Sequence, residues 1–134
     1  MSSEIERIAR EQFGFERLRP GQERAVSAAL SGRDVLAVMP TGSGKSAIYQ
    51  LAALLVPGTT VVVSPLVSLQ RDQVESLEAT DAGAAALNST LRAADRREAL
   101  EGFEERELEF LFLAPEQLAN DEVLARVQRS APSL

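Results

Sequence analysis

The sequence predicts an α/β fold, a mostly parallel sheet with helices on both faces, and three observations point to it. Short apolar runs alternate with segments of helical periodicity. The stretch Met39-Pro40-Thr41-Gly42-Ser43-Gly44-Lys45-Ser46 lies between one such run and one such helix. Polar turns follow the apolar runs, where a parallel α/β sheet places its ligand-facing edge.

Taken in order, Ile5, Ile8 and Gln12-Phe13 keep helical spacing, as do Ala25, Val26, Ala29 and Leu30, with a shaped connection through Gly14 to Gly21 between them. Gly32 suits a helix C-terminal cap. Val35-Leu36-Ala37-Val38 then reads as a fully buried strand. Ser46 to Val56 is apolar on most faces, a helix lying against a sheet until Pro57-Gly58 ends it. Thr60 to Val63 is a second strand, broken by Ser64-Pro65 and followed by a helix from about Leu66 to Leu77 carrying Leu69, Val74 and Leu77. After the turn Asp81-Ala82-Gly83, Ala84 to Leu87 reads as a short strand. Asn88-Ser89-Thr90 is rich in N-cap residue types. The next helix should face mostly solvent, because residues 95 to 109 hold seven acids and three arginines. A strand through Leu108 and Phe110 to Leu113 stops at Ala114-Pro115, and an amphipathic helix through Val123, Leu124 and Val127 follows.

Composition narrows the functions. Hydrophobic residues at 45% and charged residues at 25% describe a globular chain of 134 residues, enough for one compact unit. The absence of cysteine and histidine excludes disulfides, thiolate or imidazole zinc sites and serine–histidine catalysis. No apolar run reaches the roughly 18 to 20 residues that span a bilayer, and no leader pattern opens the chain, so no membrane partner and a cytoplasmic location are expected. A formal net charge of −6 argues against a protein that coats nucleic acid, but a local groove of backbone amides can still hold a phosphate chain.

The strongest motif is the glycine-rich stretch. Gly42 and Gly44 can adopt backbone angles that turn successive N–H groups inward around an anion. In such a loop Lys45 bridges the β- and γ-phosphates and is the candidate catalytic residue, Thr41 and Ser43 line the cradle, and the Ser46 hydroxyl ligates Mg²⁺. ATP and Mg²⁺ are the implied cofactors. Met39 stands where the usual pattern has glycine. A chance Gly-x-Gly-Lys-Ser in a surface loop is the bland alternative, but such a loop rarely sits between a strand and a helix start.

Four blocks together resemble the RecQ-type ATP-dependent DNA helicases of superfamily 2. They are Phe13-Gly14-Phe15 with Arg19-Pro20-Gly21-Gln22; Met39 to Ser46 through Tyr49-Gln50; Val63-Ser64-Pro65-Leu66-Val67-Ser68-Leu69 with Asp72-Gln73-Val74; and Leu87-Asn88-Ser89-Thr90 with Ala114-Pro115-Glu116-Gln117-Leu118. The resemblance covers nearly the whole chain and accommodates Met39. It implies an incomplete RecA-like P-loop domain, the N-terminal part of a first motor domain spanning residues 1–134. It also implies adenine recognition by Gln22, with Phe15 stacking and Arg19 nearby. A carboxamide can donate and accept in the pattern adenine presents, although a solvent-facing Gln at a helix start is the simpler alternative. In similar helicases Ser64, Pro65, Asn88 and Ser89 face the DNA single strand and grip its backbone, a contact without sequence information. For Asn88 to Thr90 a helix cap is an equal alternative.

The resemblance further implies 3′ to 5′ movement, DNA single strands and duplex junctions as partners, and a role in repair and recombination in the bacterial cytoplasm or nucleoid. The Asp-Glu-Ala-His block that follows the next strand in that family does not occur here, and Pro132-Ser133-Leu134 resemble the approach to that strand. Asp121-Glu122 cannot replace it, since they read as first-turn acids of a helix. Residues 1–134 alone are therefore expected to hydrolyse ATP negligibly. They are also expected to be marginally stable, because Val35 to Val38 lacks its neighbouring strands; cooperative thermal melting near ordinary domain temperatures would contradict this. Two other classes compete. A non-catalytic nucleotide-binding or regulatory module would never have carried the acidic block, and a small P-loop kinase would need an arginine-rich lid that is not evident after the third strand.

Overall fold

The computed structural model describes residues 2–40, 44–79 and 82–134. They fall into two compact units, Met1–Pro57 and Gly58–Leu134, where length suggested one.

The first unit holds three helices, α1 (Ser2–Phe13), α2 (Gln22–Leu30) and α3 (Lys45–Leu55). Ile5 and Ala9 of α1, Val26 of α2 and Ala47, Leu51 and Ala52 of α3 form its core, Ile5 and Ala9 being four residues apart and Ala47 four and five residues before Leu51 and Ala52, as one helix face requires. Gly32, with φ 75°, ends α2 as anticipated: its N–H reaches Ala29 O at 3.0 Å and the Arg33 N–H reaches Ala28 O at 3.2 Å, a Schellman closure.

Val35 to Val38 is not the buried strand expected. It forms no ladder, and Leu36 and Val38 are 90% and 86% exposed. The physical reason is that a strand exists only as one member of a hydrogen-bonded pair, and no described strand pairs with this one. An apolar run specifies a wish to be covered, not what covers it. A cavity of about 430 Å³ separates these residues from Arg24, Ala25 and Ala28 of α2.

The second unit is a parallel three-stranded sheet of order β1-β3-β2, made of β1 (Thr60–Val63), β2 (Ala84–Leu87) and β3 (Phe110–Leu113). Thr60 and Ala84 both pair with Phe110, and Val63 and Leu87 both pair with Leu113. The central position of β3 explains its burial on every residue. The helices are α4 (Val67–Glu78), α5 (Ala93–Glu104) and α6 (Asp121–Ser130), with a 3₁₀ turn at Pro115–Ala119. Leu111 and Leu113 share a core cluster with Leu100 and Phe103 of α5 and Val123 and Val127 of α6. Phe110 and Phe112 alternate to the other face, their rings 6.3 Å apart.

Two expectations need correction here. Helix α5 is not mostly solvent-facing, because Ala99, Leu100, Gly102 and Phe103 form a buried stripe among the acids. Charge density along a segment says nothing about the one face that packs. Nor does Asn88-Ser89-Thr90 cap α5, which starts at Ala93 with Arg92 at its N-cap. By contrast, Asp121 and Glu122 do lie in the first turn of α6, behind the true cap Asn120, whose side chain accepts from Glu122 N and Val123 N.

At the outer edge of β1 the last residues run alongside it. Ser133 N donates to Thr59 O at 2.9 Å and Val61 N to Leu134 O at 3.0 Å. Gly83 permits another close approach, since a Cβ there would lie 2.8 Å from Glu107 O. Among the described residues no helix is long and apolar enough to cross a membrane.

Candidate functional site

The phosphate-loop sequence is described at its two ends, and Thr41, Gly42 and Ser43 lie outside the described residues. Gly44 takes the left-handed conformation, φ 83° and ψ 33°, at the N-cap of α3. It has no side chain to cap the helix end, where the Ala47 N–H turns back to Gly44 O at 3.2 Å and the positive end of the helix dipole suits an anion. Lys45 opens the helix, is exposed, and its Nζ donates to Met39 O at 3.2 Å across the loop. Ser46 follows one residue on, half-buried, and bonds Tyr49. Burial raises the Tyr49 pKa above the ordinary phenol value, with hydrogen bonds from Gln50 and Ser46 opposing it. Tyr49 thus stays a neutral hydroxyl beside Ser46 at physiological pH. These features fit a polyphosphate with its divalent cation: a glycine-turned helix start, one exposed ammonium and one hydroxyl.

Gln22 is not the solvent-facing side chain of the simpler alternative. It is 5% exposed, its Oε1 accepts from Arg19 N at 2.6 Å, and its Nε2 donates to Gly44 O at 3.0 Å. The carboxamide therefore ties the Arg19-Pro20-Gly21 turn to the phosphate loop. A Cβ on Gly44 would collide with Gln22 Nε2, so the loop glycine serves this close approach as well as its backbone angle.

Phe15 is exposed, its ring stacked on Phe13 at 5.7 Å and 19° across the Gly14 turn. Arg19 lines a cleft of about 570 Å³ together with Arg17, Pro20, Gly21, Arg24 and Glu23. Phe15 and Gln22 do not line that cleft. The structure brings Gln22, Gly44 and Lys45 together, and leaves Phe15 beside Phe13.

In the second unit Ser64 and Pro65 leave the carboxyl end of β1, and Asn88 and Ser89 leave that of β2. Pro65 and Ser89 are exposed, whereas Asn88 is 4% exposed. The Asn88 amide is used internally: Oδ1 accepts from Thr90 N at 3.0 Å and from Thr90 Oγ1 at 2.5 Å, and Nδ2 donates to Gln70 Oε1 at 3.0 Å. Gln70 Nε2 in turn donates to Ser64 O at 2.7 Å. Sequence reasoning missed Gln70 and named Leu69 with Val74 and Leu77 as the apolar residues of α4, yet Leu69 is exposed and Gln70 is 1% exposed. The available signal was the spacing Gln70, Val74, Leu77, a polar residue on the buried stripe.

A parallel α/β sheet and a glycine–lysine–serine loop at a helix start define part of a RecA-like P-loop domain. Residues 19–131 match the DEAD/DEAH box helicase family, and the chain belongs to it. It is 41% identical over 117 residues to the ATP-dependent DNA helicase RecQ of Bacillus subtilis (strain 168), covering 87% of this chain and 20% of that protein. It is 43% identical over 116 residues to ATP-dependent DNA helicase Q-like 4B of Arabidopsis thaliana, covering 85% of this chain and 10% of that one. The RecQ protein of Synechocystis sp. is 41% identical over 119 residues, with 89% and 25% covered. The chain thus spans a quarter or less of the length of these relatives.

Proposed function

We propose that this chain is the nucleotide-binding part of the first motor domain of a RecQ-type ATP-dependent DNA helicase that moves 3′ to 5′ in DNA repair and recombination. The observation that carries the proposal is the arrangement of Gly44, Lys45 and Ser46 at the start of α3. With nucleotide bound, the N-terminal end of α3 would face the β- and γ-phosphates, and Thr41, Gly42 and Ser43 are assigned to the same cradle from the sequence motif alone. Lys45 exchanges the Met39 carbonyl for phosphate oxygens. Ser46 offers its hydroxyl to Mg²⁺, which when bound spreads the charge of the phosphates. The names of the relatives, ATP-dependent DNA helicases, support the same reading.

Gln22 reads adenine in this scheme, with Phe15 and Arg19 beside the base. An amide oxygen has two lone pairs and an amide nitrogen two hydrogens. Gln22 can therefore keep Arg19 N and Gly44 O while presenting one acceptor and one donor to the N6 and N7 edge. Adenine recognition would then bear directly on the phosphate loop. Replacing Gln22 by Ala is expected to lower the preference for ATP over GTP about 10-fold in kcat/KM, from a bidentate pair of about 1–3 kcal/mol. Equal selectivity before and after removes the adenine role.

Ser64, Pro65 and Ser89 face the backbone of a DNA single strand, at duplex junctions among other places. Sequence-independent contact through hydroxyls and main-chain N–H groups suits a chain of net charge −6. No Asp-Glu-Ala-His block occurs in these residues, so the carboxylates of hydrolysis are assigned to the longer parent protein, in the bacterial cytoplasm or nucleoid.

A further inference from the structure

Gln70 and Asn88 are among the most buried polar side chains of the second unit, and none of the roles above uses Gln70. The turns they join are not neighbours. Ser64 follows β1 and Asn88 follows β2, with β3 between, so two strand spacings of about 4.8 Å each separate them. The sheet stops holding them where its ladder stops: the last bonds are Ser64 N to Leu113 O at 2.9 Å and Ala114 N to Leu87 O at 3.1 Å. Beyond those bonds the chain Thr90 N–H to Asn88, Asn88 to Gln70, and Gln70 to Ser64 O spans the gap. Its polarity is fixed at both ends. An N–H group can only donate and a carbonyl can only accept, so each amide has one orientation that satisfies its neighbours.

We propose that Gln70 and Asn88 are positioning residues that set the spacing of the Ser64-Pro65 and Asn88-Ser89 turns, so that both meet the backbone of one single strand together. The inference rests on the DNA-binding reading of those turns. It gives Asn88 a different part from Ser89: with its amide buried and shared between Gln70 and Thr90, Asn88 shapes the turn, and exposed Ser89 touches the strand. A buried amide pair is costly unless fully bonded, and an apolar residue would fill the same space on α4. What only the pair supplies is a bond from one turn to the other.

The test uses the full-length protein, a labelled oligothymidine read by fluorescence anisotropy, and ATP turnover as a function of that oligonucleotide. Gln70→Met keeps the volume and removes both bonds. The half-saturating DNA concentration should rise about 10-fold, while DNA-saturated turnover and ATP affinity stay near wild type. In a Ser64→Ala/Ser89→Ala background, the same change should add less than about 2-fold, because the hydroxyls that it positions are gone. If Gln70→Met folds poorly, Gln70→Leu removes the same two bonds with a smaller apolar side chain and should show the same shift. A wild-type half-saturation in the folded Gln70 variant, or a fall in turnover with half-saturation unmoved, overturns the positioning role. If Ser64→Ala/Ser89→Ala itself binds DNA as wild type does, the reading of the turns falls instead.

Discussion

Replacing Lys45 by Ala in the full-length protein is expected to lower DNA-stimulated ATP turnover at least about 100-fold, with the fold intact. Removing one preorganised charge from a site that stabilises developing negative charge costs about 10²- to 10³-fold, and phosphoryl transfer depends on such groups almost entirely. The fold should be indifferent. Lys45 is exposed on the first turn of α3, belongs to no core cluster, and its ammonium meets the Met39 carbonyl, a contact that water can replace. Turnover assays at saturating single-stranded DNA, with circular dichroism melting alongside, separate the two effects. Wild-type turnover would remove the phosphate-loop assignment, and a collapsed melting curve would show that Lys45 holds structure.

The second large effect is on stability. Phe103→Ala is expected to cost about 3–5 kcal/mol, the range for truncating a buried aromatic side chain. Phe103 is 1% exposed, and it packs with Leu100, Leu111 and Val123, joining α5 and α6 to the central strand. With ordinary domains stable by about 5–15 kcal/mol, this loss takes much of the margin. In urea the midpoint should fall by more than about 1 M, for a slope of about 1–3 kcal/mol/M. A shift under a few tenths of a molar would mean that the α5 stripe does not hold the sheet.

Elements whose pattern is local were legible in the sequence. Thr60 to Val63 and Ala84 to Leu87 are strands over the residues anticipated, and Gly32 closes α2 as its position suggested. Gly44-Lys45-Ser46 does open a helix, which is where a phosphate loop must be. What failed depended on partners. The apolar run Val35 to Val38 promised burial, but burial belongs to a pair of strands, not to one. The acids between 95 and 109 hid a stripe only three residues apart in repeat, Leu100 and Phe103, because composition averages over faces. The adenine role proposed for Gln22 comes only from family resemblance, and its observed bond to Gly44, 22 positions away, had no signal in the local pattern. The capping residue types at Asn88 to Thr90 were correctly seen as hydrogen-bonding residues, but they close their own turn and not the helix after it.

The order β1-β3-β2 has a consequence for how the chain is made. Thr60 and Ala84 both wait for Phe110, so the two outer members of the sheet leave the ribosome before the residue that unites them. At about 5–20 residues per second, the first of them is without its neighbour for roughly 3–10 seconds, long compared with hydrophobic collapse. During that interval the nascent segment exposes the Thr-Val-Val-Val run to other polypeptides. Synthesis speed and chaperone supply, more than final stability, should therefore govern how much of this protein reaches its native state.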